Sequence, residues 1–348
     1  MGIRYSQHLL LLPAVLAVSF ALGAAPTAAA STISAISLSQ DGHNETNTIS
    51  QTVFDGTGVT SLSIETINAS YRRDTKIIRG LGNLFTKGPS FDLDKNLDLG
   101  AVLAESMSAE AKAMGLPLAA EDAAARSWQV SGELKDVYIE CWQITGMGSI
   151  LFYGFMDVAL QVHSPDGATE NRHYRVHDFS EGHSGAFSRT GASKAALASL
   201  IVTGSQEILC RLNREFLKAK SSPDIDKKVA LLKVPDIAKQ QADLHLVGLS
   251  GAAGADAALL GLLPAETSSD GRALIINALA RLGAPAAVPA LIQRYDKEDE
   301  QGRWYTLKAM DYIGGDAAAA LIAGKGPQDE VYSVKALAAR IQGVPLKK

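Results

Sequence analysis

The chain has 348 residues, with 33 Lys and Arg against 37 Asp and Glu, so its formal net charge is -4 at pH 7. This balance lacks the basic stripe that nucleic-acid-binding proteins carry, and it excludes nucleic acid as the expected partner. Two cysteines exclude a disulfide-stapled scaffold and a four-cysteine zinc site, and the length is typical of about two domains.

The first residues, 1–30, are typical of a secretory signal peptide. One basic residue, Arg4, precedes an apolar run at 9–22, which is shorter than the ~20 residues needed to span a bilayer. Small residues follow, and the sequence predicts cleavage near Ala30 and export to the periplasm. A buried N-terminal helix or anchor is the alternative. No later apolar run reaches spanning length, so no transmembrane span is expected.

Residues 31–220 are predicted to form a two-layer α+β domain, because strand-like alternation and helical periodicity succeed each other along them. The apolar residues of the run at 150–163 fall mainly on one face of a strand, and Ser164-Pro165-Asp166-Gly167 is turn chemistry. The predicted elements are a strand at 59–69, a charged loop, a helix from 97 to Gly115, strands at 128–144, 150–163 and 172–179, and a helix at 192–218.

The order of elements in this domain resembles a known family. A strand is followed by a basic loop with glycines (Tyr71-Arg72-Arg73-Asp74 to Gly80-Leu81-Gly82-Asn83-Leu84-Phe85), a helix ending in Met114-Gly115, and a strand opening Trp128-Gln129-Val130-Ser131-Gly132. This order resembles the αβ domain of YajG-type envelope lipoproteins and transport-auxiliary lipoproteins, over about half of the chain. The resemblance implies an envelope-associated scaffold without catalysis, although the lipidated cysteine of the family is lacking.

Residues 227–348 repeat, and they are predicted to form an α-helical solenoid. Gly251, Gly283 and Gly314 are separated by 32 and 31 residues, and Ala-Leu-Leu or Ala-Leu-Ile triplets recur at the same steps. A period of this length with two helices per unit is typical of stacked helical hairpins. An ordinary small helical bundle is the alternative. The predicted helices are 273–282 and 285–294 in one unit, 304–313 and 316–323 in the next, and a last helix at 331–341.

One unit of this repeat carries a second resemblance. The segment 279–292 reads Leu-Ala-Arg-Leu-Gly-Ala-Pro-Ala-Ala-Val-Pro-Ala-Leu-Ile, and it is similar to the short bacterial HEAT-like repeat that is also named for phycobilisome lyases. With its neighbouring units the resemblance covers about a third of the chain. Between the two domains, the Ser- and Pro-containing segment 221–226 is predicted to be a flexible linker.

No motif predicts catalysis, a cofactor or a metal. Walker, Gly-x-Ser-x-Gly and His-Glu-x-x-His patterns are absent from the sequence. Histidines cluster at 163, 173, 177 and 183, but His173 and His177 would lie about 13 Å apart on a strand at ~3.3 Å per residue. That is too far to share one ion, and His163 is expected to lie opposite roughly residue 170.

The two cysteines, Cys141 and Cys210, would meet an oxidising compartment after export. Cys141 is predicted to face inward from its strand, whereas Cys210 lies about 180° from the apolar stripe of its helix at 100° per residue. Two free thiols are therefore favoured over a disulfide, which stays the alternative.

Aromatic residues with basic neighbours occur within the repeats, and Trp, Tyr and Arg dominate binding hot spots. In the alternative interpretation, Trp304 and Tyr305 fill the space between stacked hairpins. A basic run at Arg72, Arg73, Lys76, Arg79 and Lys87 would suit an acidic partner, or is a solvated loop. The residues predicted to bind a protein partner are Arg294, Tyr295, Arg303, Trp304, Tyr305 and Tyr312.

The expected function is that of an exported, non-enzymatic adaptor or scaffold that binds a protein partner through its helical repeats. Two alternatives are kept. One is a periplasmic enzyme or ligand carrier that uses a cleft between the sheet and the repeats, with His173, His177 or Asp178 as acid-base or orienting groups. The other is an auxiliary component of an envelope transport system, as the lipoprotein resemblance implies.

Overall fold

The chain is described by a computed structural model, and the predicted signal peptide, 1–30, lies outside the described part. The described residues are 31–33, 36, 38, 47–70, 78–81, 90–94, 96–120, 126–143, 149–183, 189–233 and 237–344.

The described strands of the N-terminal part form one mixed sheet in the order β1-β5-β4-β6-β7-β8, with β3 also beside β6. Both β3 and β4 run parallel to β6 along the same side of it, whereas β6, β7 and β8 are antiparallel neighbours. A separate two-stranded pair joins β2 to β9. The strands are β1 Ser31–Ile33, β2 Phe54–Asp55, β3 Leu62–Ala69, β4 Ile78–Leu81, β5 Ser90–Leu93, β6 Trp128–Gln143, β7 Ser149–His163, β8 Thr169–His183 and β9 Lys220–Ser221.

The predicted strands and the hairpin turn are confirmed. The Gly167 amide donates to the Ser164 carbonyl oxygen at 3.0 Å, and His163 pairs with Thr169, one residue from the expected partner. The prediction of a charged loop after β3 is wrong in part, because β4 and β5 lie there. These strands of four residues each are too short to show an alternating pattern in the sequence.

Two helices cover one face of this sheet. The first, α1 (Leu99–Met114), begins at Asp98, whose side chain accepts from the Gly100 amide, and ends at Gly115, which is left-handed at φ 86°. The second, α2 (Arg189–Leu212), continues as a π-helical turn at Asn213–Leu217. Their predicted apolar stripes are buried against β3, β7 and β8.

Helix α2 lies very close to the sheet and is buried on all sides. A Cβ built on Gly204 would lie 2.2 Å from Met156 Cε, so the Met156 side chain occupies the space that a larger residue would need. Among the described residues, one stretch, Ser193–Leu217, is long and apolar enough to cross a membrane, and 89% of its most apolar window is buried inside the protein. That burial is typical of a core helix.

The C-terminal part is helical, and the predicted helices are confirmed to within a few residues. Helices α4, α6, α8 and α10 pack side by side in chain order, while α5, α7 and α9 pack on the outside of this inner row. Gly251 and Gly283 end α4 and α6 in the left-handed conformation. The helices are α3 Pro223–Leu231, α4 Gln241–Ser250, α5 Ala255–Leu262, α6 Ser269–Leu282, α7 Val288–Arg294, α8 Glu300–Ile313, α9 Asp316–Lys325 and α10 Tyr332–Gln342.

The prediction of a flexible linker at 221–226 is wrong. Ser221 pairs with Phe54 in the β2–β9 ribbon, and Pro223 opens α3, where its missing N–H costs nothing. Ile225 is fully buried. Ser and Pro in this segment begin a helix, so the two parts are joined by packed structure.

The inner row of helices passes around the free edge of β8. Helix α4 contacts α2 on one side of the sheet, and α8 lies against the β8 edge. Helix α10 reaches the opposite face, where the Arg340 guanidinium lies 3.7 Å from the centre of the Tyr138 ring and 5.4 Å from that of Phe155. The described fold is thus an α+β unit followed by a helical part that folds back onto it.

Candidate functional site

The contact between α8 and the edge of β8 is the centre of the candidate site. An edge strand exposes unpaired N–H and C=O groups, and natural proteins cover such edges. Here the His177 amide donates to the Tyr312 hydroxyl at 3.0 Å, and the Tyr305 hydroxyl donates to the Phe179 carbonyl oxygen at 3.5 Å. Two tyrosines of α8 therefore replace the missing neighbouring strand.

An aromatic cluster fills the space under α8. The Trp304 ring lies 5.7 Å from Phe179, 5.5 Å from Tyr305 and 6.4 Å from Tyr153, mostly edge to face. Such arrangements stabilise aromatic pairs beyond simple burial. Trp304 is 2% exposed, so this cluster is interior.

A buried carboxylate, Glu207 on α2, is bound by three groups of the helical part. Its Oε1 accepts from Lys308 Nζ at 2.7 Å and Arg281 Nε at 3.0 Å, and its Oε2 accepts from the Tyr312 hydroxyl at 2.6 Å. Burial opposes ionisation of Glu207, but the two cations overcome it and lower its pKa to about 2. Burial lowers the pKa of Lys308 to about 8, against the attraction of Glu207, so the pair is ionised at neutral pH.

A second charged group joins β8 to α8. His177 Nε2 lies 2.8 Å from Asp311 Oδ2, and the other oxygen of Asp311 accepts from Arg175. Burial lowers the pKa of His177, against the hydrogen bond that the ring donates to Asp311, so the ring is neutral at pH 7. His177 and the Asp311 side chain are 0% and 3% exposed.

A third group joins α2 to α4. His245 Nε2 lies 2.9 Å from Gln206 Oε1, and Gln206 Nε2 donates to Glu110 Oε2 at 2.8 Å and to the Asn47 carbonyl oxygen at 2.7 Å. Because both of those partners only accept, the orientation of the Gln206 amide is fixed and His245 Nε2 is the donor.

A repeated carboxylate contact links successive helical hairpins. Arg272 at the start of α6 binds the buried Glu298 before α8, with Nε 2.8 Å from Oε2. One hairpin later, Arg303 at the start of α8 forms an ion pair with the buried Asp329 before α10, with Nε 3.2 Å from Oδ2 but without hydrogen-bond geometry. The equivalent carboxylate before α6, Glu266, is also buried, but its Oε2 has no hydrogen-bond partner among the described residues.

Three of the residues predicted to bind a partner belong to this ladder. Arg294 Nε lies 2.9 Å from Glu298 Oε1, the Tyr295 hydroxyl donates to Asp329 Oδ2 at 2.9 Å, and Arg303 binds the same aspartate. Arg294 and Arg303 keep partial exposure, with side chains 25% and 16% accessible. The side chains of Arg294, Tyr295 and Arg303 therefore bind the carboxylates that link neighbouring hairpins.

The other three predicted residues face the α+β unit. Trp304 and Tyr305 cover β8, and Tyr312 also meets α2. The alternative interpretation places Trp304 and Tyr305 between stacked hairpins; they are interior, but they face the edge of the sheet. Tyr295, Trp304 and Tyr305, which were predicted to bind a partner, are 2%, 2% and 5% exposed, so a partner does not reach them in this structure. The sequence pattern predicts that these residues lie on repeated helices. No local pattern predicts that the edge of β8 packs against them.

The residues of the enzyme alternative are not brought together around a substrate-sized space. His173 contacts Asp157 at the surface, His177 is closed in by α8, and Asp178 is buried on the other side of β8 towards Lys308. The cavity next to His177, lined by Glu140, Trp304, Ser333 and Arg340 among others, has a volume of about 20 Å³. That is enough for one water molecule.

An open groove of about 670 Å³ occupies the part of the same sheet face that α8 and α10 leave uncovered. Four charged side chains line it: Lys135 pairs with Glu133, Arg172 pairs with Glu170 and Glu215 beside the groove, and Glu65 is the fourth. The other polar side chains of its lining are neutral. They include Thr66, Asn68, Ser131, Gln161 and Asn171.

The remaining sequence predictions are only partly covered. Cys210 is a buried free thiol, 3.9 Å from the Arg281 carbonyl oxygen, while the side chain of Cys141 lies outside the described part. His163 Nδ1 lies 2.7 Å from Thr169 Oγ1.

Within the described residues, no three or more His, Cys, Asp or Glu side chains are placed to hold a metal ion. The side chain of His183 and those of the basic run at Arg72, Arg73, Lys76, Arg79 and Lys87 lie outside it.

Comparisons with known proteins do not identify a family. No family model matches the chain, and no curated protein matches it. Among solved structures, a Xanthomonas campestris protein of the DUF330 family is similar at 14% identity and a TM-score of 0.31, over 47% of this chain and 90% of that protein. A likeness this distant carries no argument about function.

Proposed function

We propose that this protein is an exported, non-enzymatic scaffold of the bacterial envelope, in which a HEAT-like helical solenoid is fixed to an α+β unit and binds a protein partner. Export rests on the signal-peptide pattern at 1–30. The envelope location rests on the resemblance of the α+β unit to envelope lipoprotein domains.

The carboxylate ladder supports the solenoid over an ordinary bundle. Glu266, Glu298 and Asp329 are separated by 32 and 31 residues, the same steps as Gly251, Gly283 and Gly314. Arg272 and Arg303 each bind the carboxylate of the following unit. Contacts that recur between neighbouring units at the period of the sequence are typical of solenoids, in which each repeat is stabilised by the next.

The position of the charged groups supports a scaffold without catalysis. Glu207, Lys308 and His177 are at most 2% exposed, and each contacts groups of the protein itself. A catalytic acid, base or nucleophile has to reach a substrate atom, and the adjacent cavity of about 20 Å³ admits none. These groups are used to attach the helices to the sheet.

One observation carries the choice of binding surface. The inner row, α4, α6, α8 and α10, is occupied by the protein's own α2, β8 and sheet face. The outer row, α5, α7 and α9, is therefore the surface of the repeats that is open to a partner. On α7, Ile292 is 37% exposed and Gln293 beside it is exposed.

Site-specific photo-crosslinking in cells tests this proposal. A photoreactive residue at Gln293 on α7 is expected to give a discrete adduct with a second protein. The matched control is Asp166, another exposed residue, on the turn between β7 and β8, and it is expected to give none. Adducts from neither position, or equally from both, would count against a partner of the repeats.

Export has its own test. We expect the protein in the periplasmic fraction with an N-terminus near Ser31. Full-length protein in the cytoplasm, starting at Met1, would contradict export while leaving the binding surface untouched.

The open groove favours a second candidate function, a ligand carrier. Its volume of about 670 Å³ is within the ~300–1,000 Å³ of small-molecule sites. A photoreactive residue at Gln161 in the groove that gives a small-molecule adduct, with no protein adduct from Gln293, would select the ligand carrier over the scaffold.

A further inference from the structure

Two buried histidines lie on the contact surface between the α+β unit and the helical part. His177 on β8 is 0% exposed and faces α8, and His245 on α4 is 2% exposed and faces α2. Each provides one hydrogen bond across the contact. They come from different elements and sit at two separate places on the same surface.

The hydrogen-bond partners fix the protonation of both rings. An ionised carboxylate only accepts, so the bond to Asp311 places the His177 proton on Nε2. The fixed Gln206 amide places the His245 proton on Nε2 in the same way. The other nitrogen, Nδ1, of each ring is buried and has no hydrogen-bond partner among the described residues.

Both rings are poorly placed to accept a second proton. A proton on Nδ1 would create a buried cationic donor without an acceptor among the described residues, and the cost of such a group is large. The surroundings of His177 are also apolar on three sides, with ring centres of Phe155, Tyr312 and Trp304 at 5.5, 5.8 and 6.4 Å.

Charges of both signs surround the two histidines. Around His177 the acids are Asp311 and, across the small cavity, Glu140, and the cations are Arg175, Lys308 and Arg340. Arg211 of α2 lies over the Tyr312 ring that stacks on His177. Around His245 the charged groups are Glu207, Arg281 and Lys308, with Glu110 beyond Gln206.

The pKa values agree with this geometry. Burial lowers the pKa of His245 well below its usual value, and Arg281 and Lys308 add to the effect against the attraction of Glu207. Burial likewise lowers the pKa of His177, against the pull of Asp311. When the histidine pKa is lower in the closed state, the open state binds more protons, so closure is favoured at neutral pH and weakens as the pH falls below about 6.5.

We propose that this contact is an acid-sensitive latch: protonation of His177 and His245 releases α4 and α8 from α2 and β8 before either part of the protein unfolds. Release would uncover the aromatic cluster of Trp304, Tyr305 and Phe179, which has the residue types that dominate binding hot spots. The latch does not depend on the proposed function, since it follows from contacts within the chain.

Hydrogen exchange on the mature full-length chain at about pH 7 and about pH 5 tests the latch. After correction for intrinsic exchange rates, amides of α4, α8 and β8 are expected to lose at least about tenfold in protection at the lower pH. This size is expected because two groups that titrate together change an opening constant by up to about 100-fold per pH unit. Amides of α1 and β3 serve as the internal reference and are expected to keep their protection. An apolar dye is expected to bind at the lower pH only.

Variants separate the histidines from other titrating groups. The double variant His177→Gln and His245→Gln keeps a donor near each acceptor, and its protection is expected not to change between the two pH values. His163→Gln, at a histidine near the hairpin turn, is the matched control and is expected to behave as the wild type.

Three results would overturn the latch. One is unchanged protection of α4, α8 and β8 at about pH 5 in the wild type; another is equal loss of protection in α1 and β3. The third is a wild-type pH dependence in the double variant. Should that variant fail to fold, the NMR titration of the wild-type protein decides: midpoints of His177 and His245 well below about 6.5 support the latch, and ordinary midpoints refute it.

Discussion

Arg272 Nε lies 2.8 Å from Glu298 Oε2, and this ion pair joins the first helix of one helical hairpin to the residue that precedes the next. Glu298 is fully buried at its side chain, while the Arg272 side chain is 15% exposed. An ion pair at the equivalent positions returns one period later, between Arg303 and Asp329. The helical part is therefore stabilised by contacts that follow the sequence repeat.

Removal of one partner of this pair is expected to destabilise the protein. Arg272→Met leaves Glu298 with Arg294 as its remaining ion-pair partner. We therefore expect the free energy of unfolding to fall by about 1–3 kcal/mol, which is less than the ~3–5 kcal/mol lost when a buried charge has no partner at all. Urea denaturation measures the change. Lys297→Met, at the exposed position next to Glu298, is the control, and equal stability of the two variants would contradict the role of the ladder.

The first unit of the repeat lacks its arginine, and the structure predicts a stabilising substitution there. Arg272 and Arg303 each lie 11 residues before a helix-ending glycine, and the equivalent position before Gly251 is Gln240. Glu266 Oε2 is correspondingly without a hydrogen-bond partner among the described residues. Gln240→Arg is expected to raise the free energy of unfolding by about 0.5–1.5 kcal/mol. Gln240→Met, which brings no charge, is expected to leave the free energy of unfolding unchanged. A gain of the same size from Gln240→Met would argue against an ion pair with Glu266.

The left-handed glycine at the end of α6 is expected to be sensitive to substitution. Gly283→Ala places a Cβ at φ 59° and 2.6 Å from Arg214 Nη1, whereas Gly254→Ala meets a left-handed backbone at φ 76° with open space around it. Both changes carry the ~1–2 kcal/mol cost of the left-handed conformation. Gly283→Ala is expected to cost about 1 kcal/mol more in thermal or urea unfolding, since Arg214 must also move. Equal costs would show that Arg214 moves freely.

Acid stability is expected to depend on Glu207. Its pKa of about 2 in the folded protein lies below the usual value, so the carboxylate contributes stability above about pH 4.5 that is lost as the pH falls towards 2. A shift of this size corresponds to about 3 kcal/mol. The urea-unfolding free energy of Glu207→Gln should be lower at neutral pH and vary less between about pH 5 and pH 3 than that of the wild type. Parallel pH profiles of the two proteins would contradict this assignment.

At neutral pH, where the contact between α8 and β8 is closed, Trp304 is expected to matter for stability and to have no separate effect on binding. Trp304→Ala removes a side chain that is 2% exposed, and a loss of about 3–5 kcal/mol is typical of such a truncation. Trp304→Phe should keep most of the stability. A stable, normally folded Trp304→Ala protein that fails only to bind a partner would restore the sequence-based prediction for this residue.

Local patterns in the sequence predicted most elements of the fold. The alternation at 150–163, the turn residues before Gly167, and the glycines at steps of 32 and 31 each specify a conformation through contacts within a few residues. The sequence did not predict the short strands β4 and β5, because four residues are too few to show a periodic pattern. It did not predict the helix at 223–231 either, because Ser-Pro occurs both in loops and at the start of helices.

The site was not predictable in the same way. Glu207 and Gln206 lie on the side of α2 away from its apolar stripe, and such residues usually face water. Only the fold of the helical part over that side brings Arg281, Lys308 and His245 to them. One signal was present: Glu266, Glu298 and Asp329 share the spacing of the glycines, and this spacing assigns Arg272 and Arg303 to the interior of the repeat.

A double-mutant cycle between Glu207 and Lys308 tests most directly whether the helical part is fixed to the α+β unit through α2 and α8. The two side chains belong to different parts of the chain, and their N–O distance is 2.7 Å with both fully buried. From urea unfolding of Glu207→Gln, Lys308→Met and the double variant, we expect a coupling free energy of at least about 1 kcal/mol. A coupling of zero, with additive single effects, would contradict the contact and with it the attachment of the repeats to the sheet.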